Sequence, residues 1–376
     1  MENLFWHLDN QLAACESCDG AFVLPAEAAA GMCPYCGSAG LQPLEAAAEP
    51  AVSMQPPELI VPASAPAAQL QEALRRFARG TWFAPADLTP EALQARLRLL
   101  YVPMWLVDAQ ARAQWQAEVG FDYQVVSHRE RFANGQWQTE EVRETRVRWE
   151  PRVGTLTRPY ANVPAPALDE HAQLERLLGQ FDVAAATAYG AEAAVAVHLP
   201  NRPPADAWPD AQAALKTRAA AECRQAAAAD HVREFRWAPE FDGQNWTLLL
   251  LPLYVTHYVD DDAQVRRVLL HGQTGALRGE RRASLRQARR WSLALAGVAA
   301  VIFVLSVVAA LVGRPDERWL SLAGGGLAAG LLLAGTAVLP LLVAWSVNVF
   351  GHFYDGGQQL MRELAAVAWQ GRMGNG

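Results

Sequence analysis

The chain has 376 residues, of which 52% are hydrophobic, and its formal net charge at pH 7 is −7. This acidic balance argues against a nucleic-acid-binding protein, because such proteins carry clustered basic residues on the surface that meets phosphate. Lys216 is the only lysine, so the chain lacks a Gly-x-x-x-x-Gly-Lys-Ser/Thr phosphate loop, and a helicase built on that loop is excluded.

Two Cys-x-x-Cys turns lie in residues 1–42, separated by 14 residues. Two such turns supply four thiolates at a spacing suited to one closed tetrahedral site, which is typical of structural zinc. We therefore predict a zinc ribbon in this segment, with Gly20 and Gly37 permitting the bends of the backbone. Its ligands would be Cys15, Cys18, Cys33 and Cys36.

The second turn, Cys-Pro-x-Cys-Gly, also occurs in rubredoxin-like electron carriers, so iron remains an alternative to the preferred zinc. Residues 1–50 contain seven acidic residues and no lysine or arginine. Four thiolates around one divalent ion add further negative charge. The ribbon is therefore predicted to contact a protein surface and no nucleic acid.

A linker rich in proline and alanine, residues 43–66, follows the ribbon. Its prolines favour extended backbone, which predicts that the ribbon is a separate, tethered module. Residues 67–164 form a first predicted α+β unit. It has a helix over 67–78, a second helix capped by Thr89, and a strand over 99–108 that is apolar on both faces.

The rest of that unit reads as antiparallel strands joined at Asn134-Gly135, a favourable hairpin turn. Residues 165–280 form a second predicted unit. It has a helix from Pro209 to Ala229 and a strand meander over 235–270, with turns at Asp242-Gly243 and at Asp260 to Asp262.

The two units share a short sequence. LLYVPMW at 99–105 aligns with LLLLPLY at 248–254. This match predicts a duplicated α+β unit, with one continuous domain as the alternative. The fold class is therefore α+β: an N-terminal ribbon, a body of helices and antiparallel sheet, and a C-terminal membrane hairpin.

Residues 281–350 contain two uncharged apolar stretches, with spans predicted at about 291–313 and 319–346. The first stretch is 313 − 291 + 1 = 23 residues long, and about 20 apolar residues cross a bilayer as a helix. The linker at 314–318 permits only a tight turn, so the spans form a hairpin whose two ends share one compartment. Six arginines between Arg278 and Arg290 place that compartment in the cytoplasm.

The predicted location is thus the bacterial cytoplasmic membrane, with both termini and the tail at 351–376 in the cytoplasm and the lipid bilayer as a partner. We expect Pro340 to kink the second span and residues 358–369 to lie along the membrane surface. Gly326 and Gly330 form a Gly-x-x-x-Gly pattern, which predicts close packing with the first span or a homo-oligomer.

Other candidate chemistry has simpler explanations. Cys223 lies in an alanine-rich helical run and is expected to pack in the core. His171 and Glu175 are one helical turn apart, and we interpret them as a solvated helix face. Asp260 to Asp262 lack the glycine and distal glutamate of a calcium loop and read as a hydrophilic hairpin tip. Protease, hydrolase and dinucleotide-binding motifs are missing, so we predict no enzyme, no catalytic residue and no organic cofactor.

Several segments resemble a bacterial family of membrane-anchored proteins with a TFIIB-type zinc ribbon, often mislabelled as primosomal-helicase-like. The resemblance covers most of the segment before the spans, and its motifs are PELIVP (57–62), ALRRFARGTWFAPADL (73–88), YVPMWLVDA (101–109), LLPLYVTHYV (250–259) and HGQTGAL (271–277). It implies a non-enzymatic membrane receptor or adaptor, with phage-shock-type and band-7 membrane proteins as partners. This chain has one ribbon where many relatives carry two.

The predicted function is a cytoplasm-facing adaptor or scaffold with a structural zinc ribbon, which recruits or organises partner proteins at the inner membrane. Two alternatives remain open: a membrane-tethered, rubredoxin-like electron carrier, and an accessory subunit of a larger membrane complex.

Overall fold

The computed structural model describes residues 10–25, 31–44, 56–133, 136–190, 196–312 and 317–349, together with Trp6 and Ala28. The predicted tail at 351–376, with its surface segment at 358–369, lies outside these residues. The elements of the ribbon are β1 (Asn10–Cys15), β2 (Gly20–Pro25) and β3 (Leu41–Pro43).

We call residues 56–280 the body. Its first half contains β4 (Leu59–Ile60), α1 (Ala67–Arg79), α2 (Pro90–Ala95), β5 (Arg98–Ala133) and β6 (Gln136–Pro166). Its second half contains α3 (His171–Leu178), β7 (Thr187–Ala188), β8 (Ala196–His198), α4 (Pro204–Ala226), β9 (His231–Val259), β10 (Val265–His271) and β11 (Leu277–Gly279). The apolar helices are α5 (Leu285–Val312) and α6 (Glu317–Thr336).

All the described strands belong to one mixed sheet, in which β5 and β9 are adjacent and antiparallel. On the side away from β5, strand β9 pairs with β10 and with the short parallel strand β4. On the side away from β9, strand β5 pairs with β6 and with the short parallel strand β8. The chain is therefore α+β, as predicted.

Residues 100–107 of β5 are all buried, which confirms a strand covered on both faces. Alternate side chains of a strand point to opposite faces. Leu100 and Val102 accordingly pack with the ribbon and α3, whereas Trp105 and Val107 pack against α4. Helices α1 and α2 cover β9 and β10.

The two predicted helices of the first half are confirmed. In α1 the side chains of Leu70, Leu74 and Phe77 are buried, and Thr89 caps α2 by accepting a hydrogen bond from Ala92 N at 3.1 Å. The helix predicted from Pro209 begins earlier, at Pro204. Proline is well suited to the first helical position, and the helix continues through Pro209.

Strand β5 is 36 residues long and pairs with β6 as far as Ala133 and Gln136, so these two strands form the predicted hairpin. The predicted turn at 134–135 itself lies outside the described residues. The pairing with β9 ends at Gly120 and His231. Beyond that point β5 and β6 continue as a two-stranded extension, residues 121–133 and 136–148, which we call the β-arm. At about 3.3 Å per residue it reaches roughly 40 Å.

The predicted turn at Asp242-Gly243 is wrong, because β9 runs through this position without a break. Asp108 pairs with Asn245 and Gln110 pairs with Asp242, so two residues of β9 stand opposite one of β5. This is a β-bulge, and Gly243 supplies the positive φ of 65° that it needs.

The prediction of a tethered ribbon is also wrong. Strand β2 pairs with β8 of the body at Phe22↔His198 and Val23↔Val197, so the ribbon extends the sheet. The physical reason is that β8 would otherwise present an unpaired strand edge, and a strand of the ribbon satisfies it.

Two helices are long and apolar enough to cross a membrane: Leu285–Val312, and Ser321–Val349 with a turn at residues 337 and 338. Pro340, which was predicted to kink the helix, lies two residues after this turn. A Cβ atom on Gly326 would clash with Ser306 Oγ of α5, and one on Gly330 would lie 3.4 Å from Ala299 O. Both glycines therefore face α5, as one of the two predicted packings requires. Homo-oligomerisation through them stays a prediction.

Candidate metal centre

The ligand atoms of the four predicted cysteines lie within 4.8 Å of one another, although the two turns are far apart in sequence. Cys15 Sγ lies 3.6 Å from Cys36 Sγ, and Cys18 Sγ lies 3.8 Å from Cys33 Sγ. Cys15 and Cys33 are buried, and the other two are partly exposed.

This geometry fits a tetrahedral metal ion. With metal–sulfur bonds of about 2.3 Å, a regular tetrahedron of thiolates has sulfur–sulfur distances of about 3.8 Å. The group can therefore hold a metal ion. Among the residues that the structure describes, it is the one cluster of histidine, cysteine and acidic side chains with such spacing.

The two turns achieve their bends with different residues. Gly37 follows the last cysteine with a φ of 73°, as predicted. In the first turn the residue with positive φ is Asp19, at 53°, and not Gly20. Aspartate tolerates this left-handed conformation better than most residues. Gly20 has another role: a Cβ there would lie 2.9 Å from His198 Nε2.

Ser38 Oγ lies 3.3 Å from Cys15 Sγ and 3.1 Å from Cys36 Sγ, where its hydroxyl can donate to thiolates. Side-chain hydrogen bonds from Cys18 and then Cys33 lower the pKa of Cys36 well below its ordinary value. The hydrogen bond with Cys33 raises the pKa of Cys18. A bound cation would favour ionisation of all four thiols.

Tyr35, which lies between the two cysteines of the second turn, packs against the body. Its ring packs edge-on against His198 with 5.4 Å between centroids, and the guanidinium of Arg267 lies 4.0 Å from its centroid. Burial raises the pKa of Tyr35 and lowers that of His198. Sequence reasoning missed Tyr35. The available signal was an aromatic residue inside a Cys-x-x-Cys turn.

The remaining candidates take structural positions. Cys223 is buried with Trp115 and Val119, as expected for core packing. His171 is buried, so the solvated helix face is wrong; its Nε2 lies 3.4 Å from Glu175 Oε1. The reason is that His171 lies on the face of α3 that packs against the sheet. No third ligand joins the pair within the described ranges.

Asp260 forms a turn rather than a cation site. Its Oδ1 accepts from Asp262 N at 3.0 Å and Gln264 N at 2.9 Å, and its Oδ2 accepts from Arg266 Nε at 2.7 Å. These bonds keep the pKa of Asp260 low, although burial alone would raise it. The tip is hydrophilic, as predicted, and its carboxylate is already used.

Comparison of the chain with family models, with curated proteins and with solved structures gives no match.

Proposed function

We propose that this chain is a membrane-anchored adaptor whose body faces the cytoplasm and whose four-cysteine site holds a structural zinc. One observation carries the proposal: the cysteine site and the β-arm belong to a single sheet, and the same body contacts two apolar helices. A bilayer attachment and a protruding surface are thereby combined in one folded body.

The exposure of the helices supports membrane insertion. In the apolar windows of the two helices, only 11% and 17% of the residues are buried by the rest of the chain, which is unlike the core helix of a soluble protein. The first is 28 residues long, or about 42 Å, more than enough to cross a hydrocarbon layer. The arginines before Trp291 favour a cytoplasmic body in a bacterial inner membrane.

The preference for zinc over iron rests on the role of the site. Both ions accept four thiolates with tetrahedral geometry, so the sulfur positions fit either. Zinc in such a closed site contributes folding energy directly. Here the ribbon is a structural part of the sheet, since Tyr35 and Phe22 both pack in the core of the body. A structural ion suits this arrangement, and an iron site that transfers electrons is the rival.

The β-arm supports a role in protein binding. Phe132 and Trp137 lie opposite each other at its end, with ring centroids 5.3 Å apart and exposed fractions of 60% and 70%. Aromatic side chains are enriched at the centres of protein interfaces. A two-stranded extension also presents free strand edges, which can pair with a strand of a partner. The resemblance described above names phage-shock-type and band-7 membrane proteins as the first partners to test, and a larger membrane complex as another setting.

The test is purification of the full chain in mild detergent from cells of the source organism, followed by mass spectrometry. The double variant Phe132→Ser and Trp137→Ser should lose partners that the wild type retains. Val153→Ser is the matched control, because Val153 is 80% exposed on β6, the strand of Trp137, but lies outside the β-arm. Identical partner lists for the wild type and the double variant would contradict the proposal.

We also infer that the body is a duplicated β-α-β-β unit, and the pairing registers support this. The aligned segments are offset by 248 − 99 = 149 residues. Strand β8 pairs with β5 at Leu100, and β4 pairs with β9 at Leu249, so these positions differ by 249 − 100 = 149. Met104 of β5 pairs with β6, and Leu253 of β9 pairs with the end of β10. Met104 and Leu253 are separated by the same offset, 253 − 104 = 149.

In an experimental structure, a two-fold rotation between β5 and β9 should superpose β4-α1-β5-β6 on β8-α4-β9-β10. Failure of these elements to superpose would contradict the duplication.

A further inference from the structure

The loop between α1 and α2 contains an aromatic residue in a conformation that aromatic residues avoid. Phe83 has a φ of 54°, in the left-handed region. Two contacts hold it there. Its carbonyl accepts a hydrogen bond from Ser284 N at 2.6 Å, and its side chain packs against the buried cluster of Ala283, Ala288 and Ala344. Phe83 therefore joins the body to both apolar helices, and such strain persists where surrounding structure fixes it.

The same contacts define one end of the helix pair. Asn348 Oδ1 accepts from Ala283 N at 2.8 Å, and Asn348 Nδ2 donates to Ala283 O at 3.1 Å. The start of α5 and the end of the second helix thus lie side by side. For helices that span a bilayer, this level is the boundary between the hydrocarbon layer and the lipid headgroups.

Trp82 lies beside this boundary and points outward. It is 70% exposed, while its neighbour Thr81 is buried and Phe83 packs on the helices. Trp291 and Trp345, near the same end of the two helices, are 60% and 55% exposed. Tryptophan is enriched at the membrane interface, where its ring meets lipid and its N–H meets water or headgroups.

The loop is surrounded by positive charges, which would attract lipid phosphates. Arg281, Arg286, Arg289 and Arg290 are exposed, and none of them forms an ion pair with a carboxylate within the described part of the chain. Arginine beside a membrane surface is attracted to the phosphate groups of the headgroups. The guanidinium of Arg281 also lies 5.1 Å from the ring centroid of Phe77 in α1, which places this charge next to the loop.

We propose that residues 81–84 form a membrane-contact loop, in which Trp82 lies in the headgroup layer while Phe83 fixes the loop to the two helices. The body is then held against the bilayer at a third point, besides its covalent connection to α5 and the contact with the second helix. This inference rests on membrane insertion of the helices, as proposed above.

The test is photo-cross-linking of the full chain in nanodiscs of phosphatidylcholine and phosphatidylglycerol. p-Benzoylphenylalanine replaces Trp82, Trp137 or Leu305, one at a time. Trp137 has the same 70% exposure but lies at the end of the β-arm, and Leu305 is 62% exposed in the apolar part of α5. We expect lipid adducts at position 82 several-fold above those at position 137, and strong adducts at position 305.

Adducts at position 305 without an excess at position 82 over position 137 would overturn the membrane-contact loop and leave insertion intact. A lack of adducts at position 305 would overturn insertion itself, and the loop with it. As a second measurement on a conservative variant, Trp82→Phe should reduce the fraction of fluorescence quenched by brominated lipids, and Trp137→Phe should not. Equal quenched fractions in wild type and Trp82→Phe would also overturn the proposal.

Discussion

Asp261 caps the first apolar helix from the body: its Oδ2 accepts a hydrogen bond from Ser284 Oγ at 2.8 Å and another from Arg286 N at 3.1 Å. Ser284 Oγ in turn accepts from Gln287 N at 3.0 Å. The first amides of a helix have no partner within the helix, and acceptors at this end stabilise it. The loop between β9 and β10 is therefore joined to α5 by a helix cap.

Replacing Asp261 by alanine should lower the free energy of unfolding by about 1 kcal/mol, the usual effect of losing a helix cap. The measurement is thermal unfolding in detergent, with limited proteolysis before α5 as a second readout. Asp262→Ala is the control, because Asp262 is exposed in the same loop. Equal stability of the two variants would show that the cap does not hold the body to the helix.

Local sequence signals predicted the parts of the fold that depend on local chemistry. The spacing of the four cysteines predicted the group that could hold a metal ion, and Thr89 marked the start of α2 because its side chain caps that helix. The start of β5 was also recognisable, because residues 100–107 are apolar without a break, as expected for a strand buried on both faces.

Long-range pairing could not be predicted in this way. The contact of β2 with β8 involves only two residue pairs, whose partners are 198 − 22 = 176 and 197 − 23 = 174 residues apart. The length of β5 was missed because its outer part is paired but exposed, so burial gives no alternating pattern there. Asp261 was missed because its role depends on a helix that begins more than twenty residues later.

The helix contact can be tested with matched glycine substitutions. Leucine at Gly326 and Gly330 should lower the thermal stability of the protein in detergent, because both positions face α5 at close range. Leucine at Gly324 and Gly325 is the control, since a Cβ there meets no atom within 4 Å. If the two double variants unfold at the same temperature, the glycine face is not a packing surface.

Acid should weaken the body through its buried histidines, and His271 gives the clearest case. Burial lowers the pKa of His271 below its ordinary value of 6.5. Its Nδ1 accepts hydrogen bonds from Gln273 N at 3.1 Å and Thr274 N at 3.3 Å, which a protonated ring cannot do. Because the folded-state pKa is the lower one, this stabilisation is complete above about pH 6.5 and is lost as the pH falls below it.

The measurement is the unfolding temperature from about pH 7.5 to about pH 5.5, compared with His271→Asn, which keeps an acceptor but does not titrate. The variant should be less stable at the higher pH, since it loses the stacking of His271 on Phe181 at 4.0 Å. Its loss of stability on acidification should be smaller than that of the wild type. Protonation of the cysteine site affects both proteins equally. Parallel curves of unfolding temperature against pH would therefore show that His271 does not contribute to the pH dependence.

Membrane orientation should follow the arginines. Reporter fusions before Met1 and after Gly376 should both give a cytoplasmic signal, because the two apolar helices return the chain to its starting side. Changing Arg286, Arg289 and Arg290 to glutamate should weaken this preference. A periplasmic signal from either fusion to the unaltered chain would contradict the hairpin.

The most direct test of the central claim is the metal content of the full chain purified in detergent. We expect one zinc per chain and no visible absorption. Cys33→Ser should lose the metal and, because β2 pairs with β8, should also destabilise that side of the sheet. Cys223→Ser, at a buried cysteine outside the site, should retain the metal. Stoichiometric iron with a thiolate-to-iron absorption band would contradict the structural zinc site and favour an electron carrier.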